Sequence, residues 1–152
     1  KTIAFDIDPV AVEKNYLHSK ENDEINILPL LLDLTNPSSA IGWANSERMS
    51  ITQRSKPDTV MALALIHHLA ISNNVPLARI ADFFSNLGDN LIIEFVPKND
   101  SQVQKLLASR EDIFNSYNQE DFEKAFSEFY TIIEKAEIKG TLRTLYLMSK
   151  VD

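Results

Sequence analysis

Apolar runs and amphipathic stretches alternate along this chain, and the alternation predicts the elements. Residues 2–5 form a short apolar run that ends on Asp6, as a buried strand does. Asp8 followed by Pro9 predicts a helix start, because an Asp side chain accepts from the first free N–H groups and Pro suits the first turn. That helix runs to about His18, with Val10, Tyr16 and Leu17 as its apolar residues. Beyond a polar turn, residues 25–32 predict a second strand that closes at Asp33, and Thr35-Asn-Pro-Ser-Ser39 is a turn-rich stretch. Residues 58–65 predict a third strand, which breaks at Ile66-His67-His68-Leu69. Over 76–87 the apolar residues Leu77, Ile80, Phe84 and Leu87 recur at the helical period, and Gly88 ends the pattern. Residues 91–96 predict a fourth strand stopped by Pro97. Asn99/Asp100 and Asn118 predict the caps of two more helices, the second with a core stripe of Phe122, Phe126 and Phe129. Residues 131–138 and 141–148, placed around Gly140, predict a closing hairpin.

Strands that are apolar nearly throughout and separated by helices predict a Rossmann-like α/β fold. Its sheet is mainly parallel with helices on both faces, and the hairpin adds an antiparallel C-terminal edge. A length of 152 residues suits one domain, and no repeat, low-complexity tract or interdomain linker interrupts it. Acids outnumber bases 22 to 15, a formal charge of -7, which disfavours a nucleic-acid backbone as partner. Cysteine is absent, so disulfides and thiolate sites are excluded. The longest apolar run, 60–66, falls far short of the ~18 residues that span a bilayer. No signal peptide is visible, and a soluble, cytoplasmic domain is expected. The three glycines, Gly42, Gly88 and Gly140, stand too far apart to build a glycine-rich phosphate cradle.

In open α/β sheets the ligand crevice lies beyond the carboxyl ends of the strands. The polar residues there are Asp6, Asp33, the pair His67 and His68, and Glu94. A carboxylate at a strand end suits a ribose diol, two acceptor oxygens matching two adjacent hydroxyls. Asp6 and Asp33 each also read as turn carboxylates that bind local N–H groups, and Asp8 reads as a helix cap. His67 and His68 are adjacent and point in different directions, so at most one faces the crevice as a base, and the other reading is packing. Their spacing is not that of a chelating helical pair, and no metal site is expected. Trp43 reads as a core plug rather than a substrate lid. Glu94 either faces substrate or pairs with a base such as Lys98.

Ala4-Phe-Asp-Ile-Asp-Pro-Val-Ala-Val12 resembles the second strand and helix of class I S-adenosylmethionine (SAM)-dependent methyltransferases. The rest follows that family's order. Leu30-Leu-Leu-Asp-Leu34 resembles the third strand and its adenine loop, Asp58-Thr-Val-Met-Ala-Leu-Ala-Leu-Ile-His-His-Leu69 the fourth strand, and Leu91-Ile-Ile-Glu94 the fifth. The closing hairpin resembles the sixth and seventh. Asp33-Leu-Thr-Asn-Pro-Ser-Ser, Ile41-Gly-Trp, Glu94-Phe-Val-Pro-Lys and Arg110-Glu-Asp-Ile-Phe resemble a bacterial nodulation-type group within that family.

The resemblance implies SAM as cofactor. Asp6 then accepts from the ribose hydroxyls, Asp33 receives the adenine amino group, and the Leu34 backbone N–H faces the ring. Leu63 opens the segment, up to His68, that borders the methionine part and the acceptor. Leu63 stands where many amino methyltransferases have a polar residue. Ala64, His67 and His68 occupy the places where some members hold a metal through two glutamates and a histidine. The family's glycine-rich loop precedes the ribose acid by roughly 20 residues, and only five residues precede Asp6. Residues 1–152 are therefore expected to start at the second strand of the fold, with an upstream segment or a partner chain completing the sheet. A central strand that buries about four side chains contributes ~6–12 kcal/mol, against a net domain stability of ~5–15 kcal/mol. Residues 1–152 are thus not expected to fold alone as a complete enzyme.

Two other classes fit parts of the pattern. Asp6-Ile-Asp-Pro-Val10 also resembles the Asp-x-Asp-x-Thr/Val motif of haloacid-dehalogenase-type phosphatases, in which Asp6 attacks phosphorus, Asp8 acts as acid/base and Mg²⁺ lies between them. A degenerate, non-catalytic methyltransferase-like binding domain is the third class.

Overall fold

The computed structural model describes residues 1–54 and 56–151. The chain forms two compact units, Lys1–Ile51 and Thr52–Asp152.

In the first unit β1 (Thr2–Asp6), α1 (Pro9–Glu21) and β2 (Ile27–Leu31) make one β-α-β turn of the chain. β1 and β2 pair in parallel, from Thr2↔Ile27 to Asp6↔Leu31, and α1 supplies the crossover that parallel neighbours require. Asp8 caps α1 by accepting from Val10 N–H at 2.9 Å, and Pro9 fills the first turn, whose N–H groups lack helical partners. The helix runs past His18 to Glu21. Basic His18 and Lys20 suit its negative end, and the Asn22 side chain donates to the His18 carbonyl at 2.7 Å to close it. No apolar side chain of this unit is buried; Ser19 is its one buried residue. A short 3-10 turn, Trp43–Asn45, sits inside a narrow loop closed by an Ile41↔Arg48 bridge. Positive φ at Gly42, Ala44 and Asn45 bends this loop sharply and carries Trp43 outward at 84% exposure, so Trp43 is no core plug.

The second unit holds β3 (Val60–Ala62), α2 (Leu77–Leu87), β4 (Asn90–Phe95), α3 (Ser101–Leu107), α4 (Gln119–Ser127), β5 (Tyr130–Glu137) and β6 (Thr144–Lys150). The sheet order is β3-β4-β6-β5. β3 and β4 are parallel, and the other pairs are antiparallel. Parallel strands and an antiparallel closing hairpin are what the apolar runs predict. α2 buries Ile80 and Phe84 against the unit's core and ends at Gly88, where a side chain would collide with Val60. Asp100 and Asn118 cap α3 and α4 by accepting from Gln102 N–H and Asp121 N–H. Of the Phe stripe, Phe122 and Phe126 pack into the core as expected, whereas Phe129 lies just past the end of α4 and is only half-buried. Phe122 meets Phe95, Phe126 and Tyr146 at ring distances of 5.0, 4.4 and 5.0 Å, and all four are buried. β3 is shorter than its apolar run, because Ala64 turns to φ +48° and breaks the extended backbone. Helical turns follow, including a π-turn at His68–Ser72. Among the described residues no helix is long and apolar enough to cross a membrane.

Candidate functional site

The parallel register Asp6↔Leu31 sets the acidic ends of β1 and β2 at the same end of the first unit's sheet. Asp6 is exposed. Its Oδ1 accepts from Asp8 N–H at 2.8 Å, and its main-chain oxygen accepts from Leu32 N–H at 3.0 Å. Asp6 also borders a hollow of about 260 Å³ lined by Ala4, Phe5 and Pro29 from the strands and by Ala11, Val12 and Asn15 from α1. Asp8 spends Oδ1 on the helix cap.

Asp33 is half-buried two residues beyond β2. Its Oδ1 accepts from both the Thr35 hydroxyl, at 2.6 Å, and Thr35 N–H, at 2.8 Å. The hydroxyl bond first, then the amide bond, holds its carboxyl below the ordinary value of 3.8. Leu34 is half-buried inside the same turn. Asp33 thus is an Asx-type turn carboxylate, which keeps it ionised and fixes the Leu34 backbone.

In the second unit Leu63 follows β3 and is 51% exposed. Behind it Ala64 N–H donates to Glu94 Oε2 at 2.6 Å. Glu94 Oε1 accepts from Arg143 Nη1 at 3.0 Å, and Arg143 forks onto Asp100 through Nε at 2.7 Å and Nη2 at 3.2 Å. Lys98 goes elsewhere, to both oxygens of Asp112 at 2.8 Å. Hydrogen bonding to Arg143 holds the Asp100 carboxyl below its ordinary value, and the two carboxylates raise Arg143 in turn.

His67 is buried at 1% exposure, and its Nδ1 has no partner. Burial, then the neighbouring His68 and Arg143 charges, push its pKa from 6.5 down to about 4, against the opposing pull of Asp100 and Glu94. His68 is exposed, with its ring 4.2 Å from that of His67. Among the described residues no three His, Cys, Asp or Glu side chains stand close enough together to hold a metal ion.

Asp6, Asp33 and Leu34 thus lie in the first unit, and Leu63, His67 and His68 in the second, where the two histidine rings touch. Arg143 and the pairing of Asp100 escape sequence reasoning. Asp100 reads as a cap and nothing more, and Arg143 sits in a turn with no local pattern around it.

No protein-family model matches the chain. The nodulation protein NoeA of Rhizobium meliloti (strain 1021) is 44% identical to it over all 152 residues, and the chain spans 32% of that protein's length. Three solved structures share the fold at low identity. WbdD superposes with a TM-score of 0.63 at 13% identity, covering 97% of this chain and 30% of its own. The PH0226 protein of Pyrococcus horikoshii OT3 gives 0.61 at 12% identity, covering 99% and 72%. The 16S rRNA methylase ArmA gives 0.54 at 18% identity, covering 98% and 61%. The strand pairings and these likenesses agree on the fold: the chain shares it with WbdD, PH0226 and the methylase ArmA, and over all 152 residues it is similar in sequence to a part of NoeA.

Proposed function

We propose that this chain forms part of a SAM-dependent methyltransferase that acts on a non-nucleic-acid acceptor. The observation that carries this is Asp6, an exposed carboxylate at the tip of β1 in a chain of this fold. Its Oδ1 is steadied by Asp8 N–H, which orients the group toward a ribose diol without neutralising it. Asp33, kept ionised by Thr35, receives the adenine amino group, and the Leu34 backbone in the same turn faces the ring. By the resemblance, the exposed Leu63 after β3 is the residue assigned to the methionine part.

Bound SAM supplies a sulfonium methyl whose leaving group departs neutral, so alignment of the reactants carries much of the acceleration. His68, exposed and four residues after Ala64 in the chain, is the better histidine for an acceptor's proton; His67 is sealed and held neutral. A net charge of -7 supports an acceptor other than nucleic acid. A glycine-rich segment outside residues 1–152, or a partner chain, completes the donor site. Three scattered glycines and a first unit without a buried apolar side chain support that completion. A role in nodulation, as named for the relative, is part of the same reading.

Calorimetric titration of SAM into the protein as its own cells make it tests the reading. Asp6→Asn keeps an acceptor for Asp8 N–H and removes the charge. The expected loss of affinity is about 10-fold or more, the scale of hydrogen bonds to a charged group. Absence of SAM binding, or equal affinity in the variant, overturns the reading.

A further inference from the structure

We propose that Arg143 is a positioning residue for the donor site: by fixing Glu94, it sets the Leu63–Ala64 turn. The proposal rests on the donor reading above and adds to it a group that the motifs do not assign.

The turn needs an outside hold. Ala64 has φ +48°, a conformation that residues with a Cβ rarely adopt. The hold is one bond, from Ala64 N–H to Glu94 Oε2. A lone glutamate is a poor clamp, because its side chain rotates freely and its charge prefers water. Here neither freedom is left. Arg143 Nη1 takes the second Glu94 oxygen, while Nε and Nη2 take both oxygens of Asp100. Asp100 is itself anchored by Gln102 N–H at the start of α3. The end of β4, the start of α3 and the approach to β6 therefore converge on a single backbone amide. Side-chain exposures of 8% for Glu94, 10% for Asp100 and 21% for Arg143 keep the pairs from being screened away. A lysine cannot replace this fork, which uses three N–H groups in one plane.

A merely structural ion pair would support the whole sheet; a positioning one acts on the turn. Amide hydrogen exchange read by NMR separates them, with SAM titration alongside. In Arg143→Ala the Ala64 amide is expected to exchange about 10-fold faster or more, while the core amides of β4 keep their rates. SAM affinity falls about 10-fold with it. Arg143→Lys recovers part of both effects. Glu94→Gln, which retains an oxygen for Ala64 N–H but loses the charge that Arg143 grips, falls between, and either conservative variant decides the matter should Arg143→Ala fail to fold. An unchanged Ala64 rate, an equal rise in the β4 amides, or unchanged SAM affinity overturns the role of Arg143. Wild-type protein that binds no SAM overturns the donor reading instead, and the two failures are told apart by that one control.

Discussion

In Lys1–Ile51 the side chains of Ile3, Phe5, Leu28 and Leu31 stand 57, 42, 53 and 60% exposed, whereas in Thr52–Asp152 those of Leu91, Ile93, Phe122 and Tyr146 are fully buried. Both stretches are equally apolar in sequence, and both fold as strands joined by helices. Burial separates them. The second unit closes four strands and their helices over an aromatic cluster, while the first has two strands and one helix, too few to enclose a core. An apolar run thus states what a segment is suited to touch; the neighbours present decide whether it is covered.

The contrast predicts unequal costs for the same kind of change. Phe122→Ala should cost ~3–5 kcal/mol, because its cavity lies among three other buried rings. Ile3→Ala should cost less than about 1 kcal/mol. Urea denaturation followed by circular dichroism checks both, and equal costs would break the comparison by showing that Ile3 is covered.

Acid should weaken the second unit through His67. An unfolded chain takes up this proton near 6.5, the folded one only near 4. Stability is therefore complete above 6.5 and falls as pH drops from 6.5 toward 4, by roughly 3 kcal/mol. His67→Gln should flatten the dependence of urea midpoints on pH between 6.5 and 5. A wild-type midpoint that is already flat there would mean that the protonated His67 ring finds an acceptor, such as a carboxylate, that holds its proton.

The smallest effect belongs to the first unit. Asp33 is held below 3.8 by Thr35, so its turn is fully stabilised above that value and loses the contribution as pH falls through the lower folded value. Thr35→Val should move the Asp33 titration, followed by carboxyl NMR, up toward 3.8, and Thr35→Ser should leave it in place. An unmoved titration in the valine variant would assign the shift to another group.

Much of this was legible in the residues, for local reasons. The caps at Asp8, Asp100 and Asn118, the stop at Gly88 and the Asx-type turn at Asp33 all depend on partners two to four residues away, within reach of a sequence pattern. The order of elements follows from them. Trp43 was illegible because its size suits a core and only the left-handed turn around it sends it outward. The early end of β3 was hidden likewise, since alanine gives no sign of a positive φ. Glu94 was visible as polar and buried, yet its partner lies 49 residues on, and the nearer Lys98 was the natural guess. Long-range pairing of this kind is set by sheet register, which periodicity does not carry.

The placement of Arg143 also has a consequence for the order of assembly. Glu94 and Asp100 leave the ribosome more than forty residues before the guanidinium that neutralises them. Until β6 docks between β4 and β5, two close negative charges repel and Ala64 is free to relax into ordinary extended backbone. β6 therefore works as a latch: a nascent chain can complete its parallel pair and its helices and still lack a fixed Leu63–Ala64 turn, which appears only when the antiparallel strand slots home.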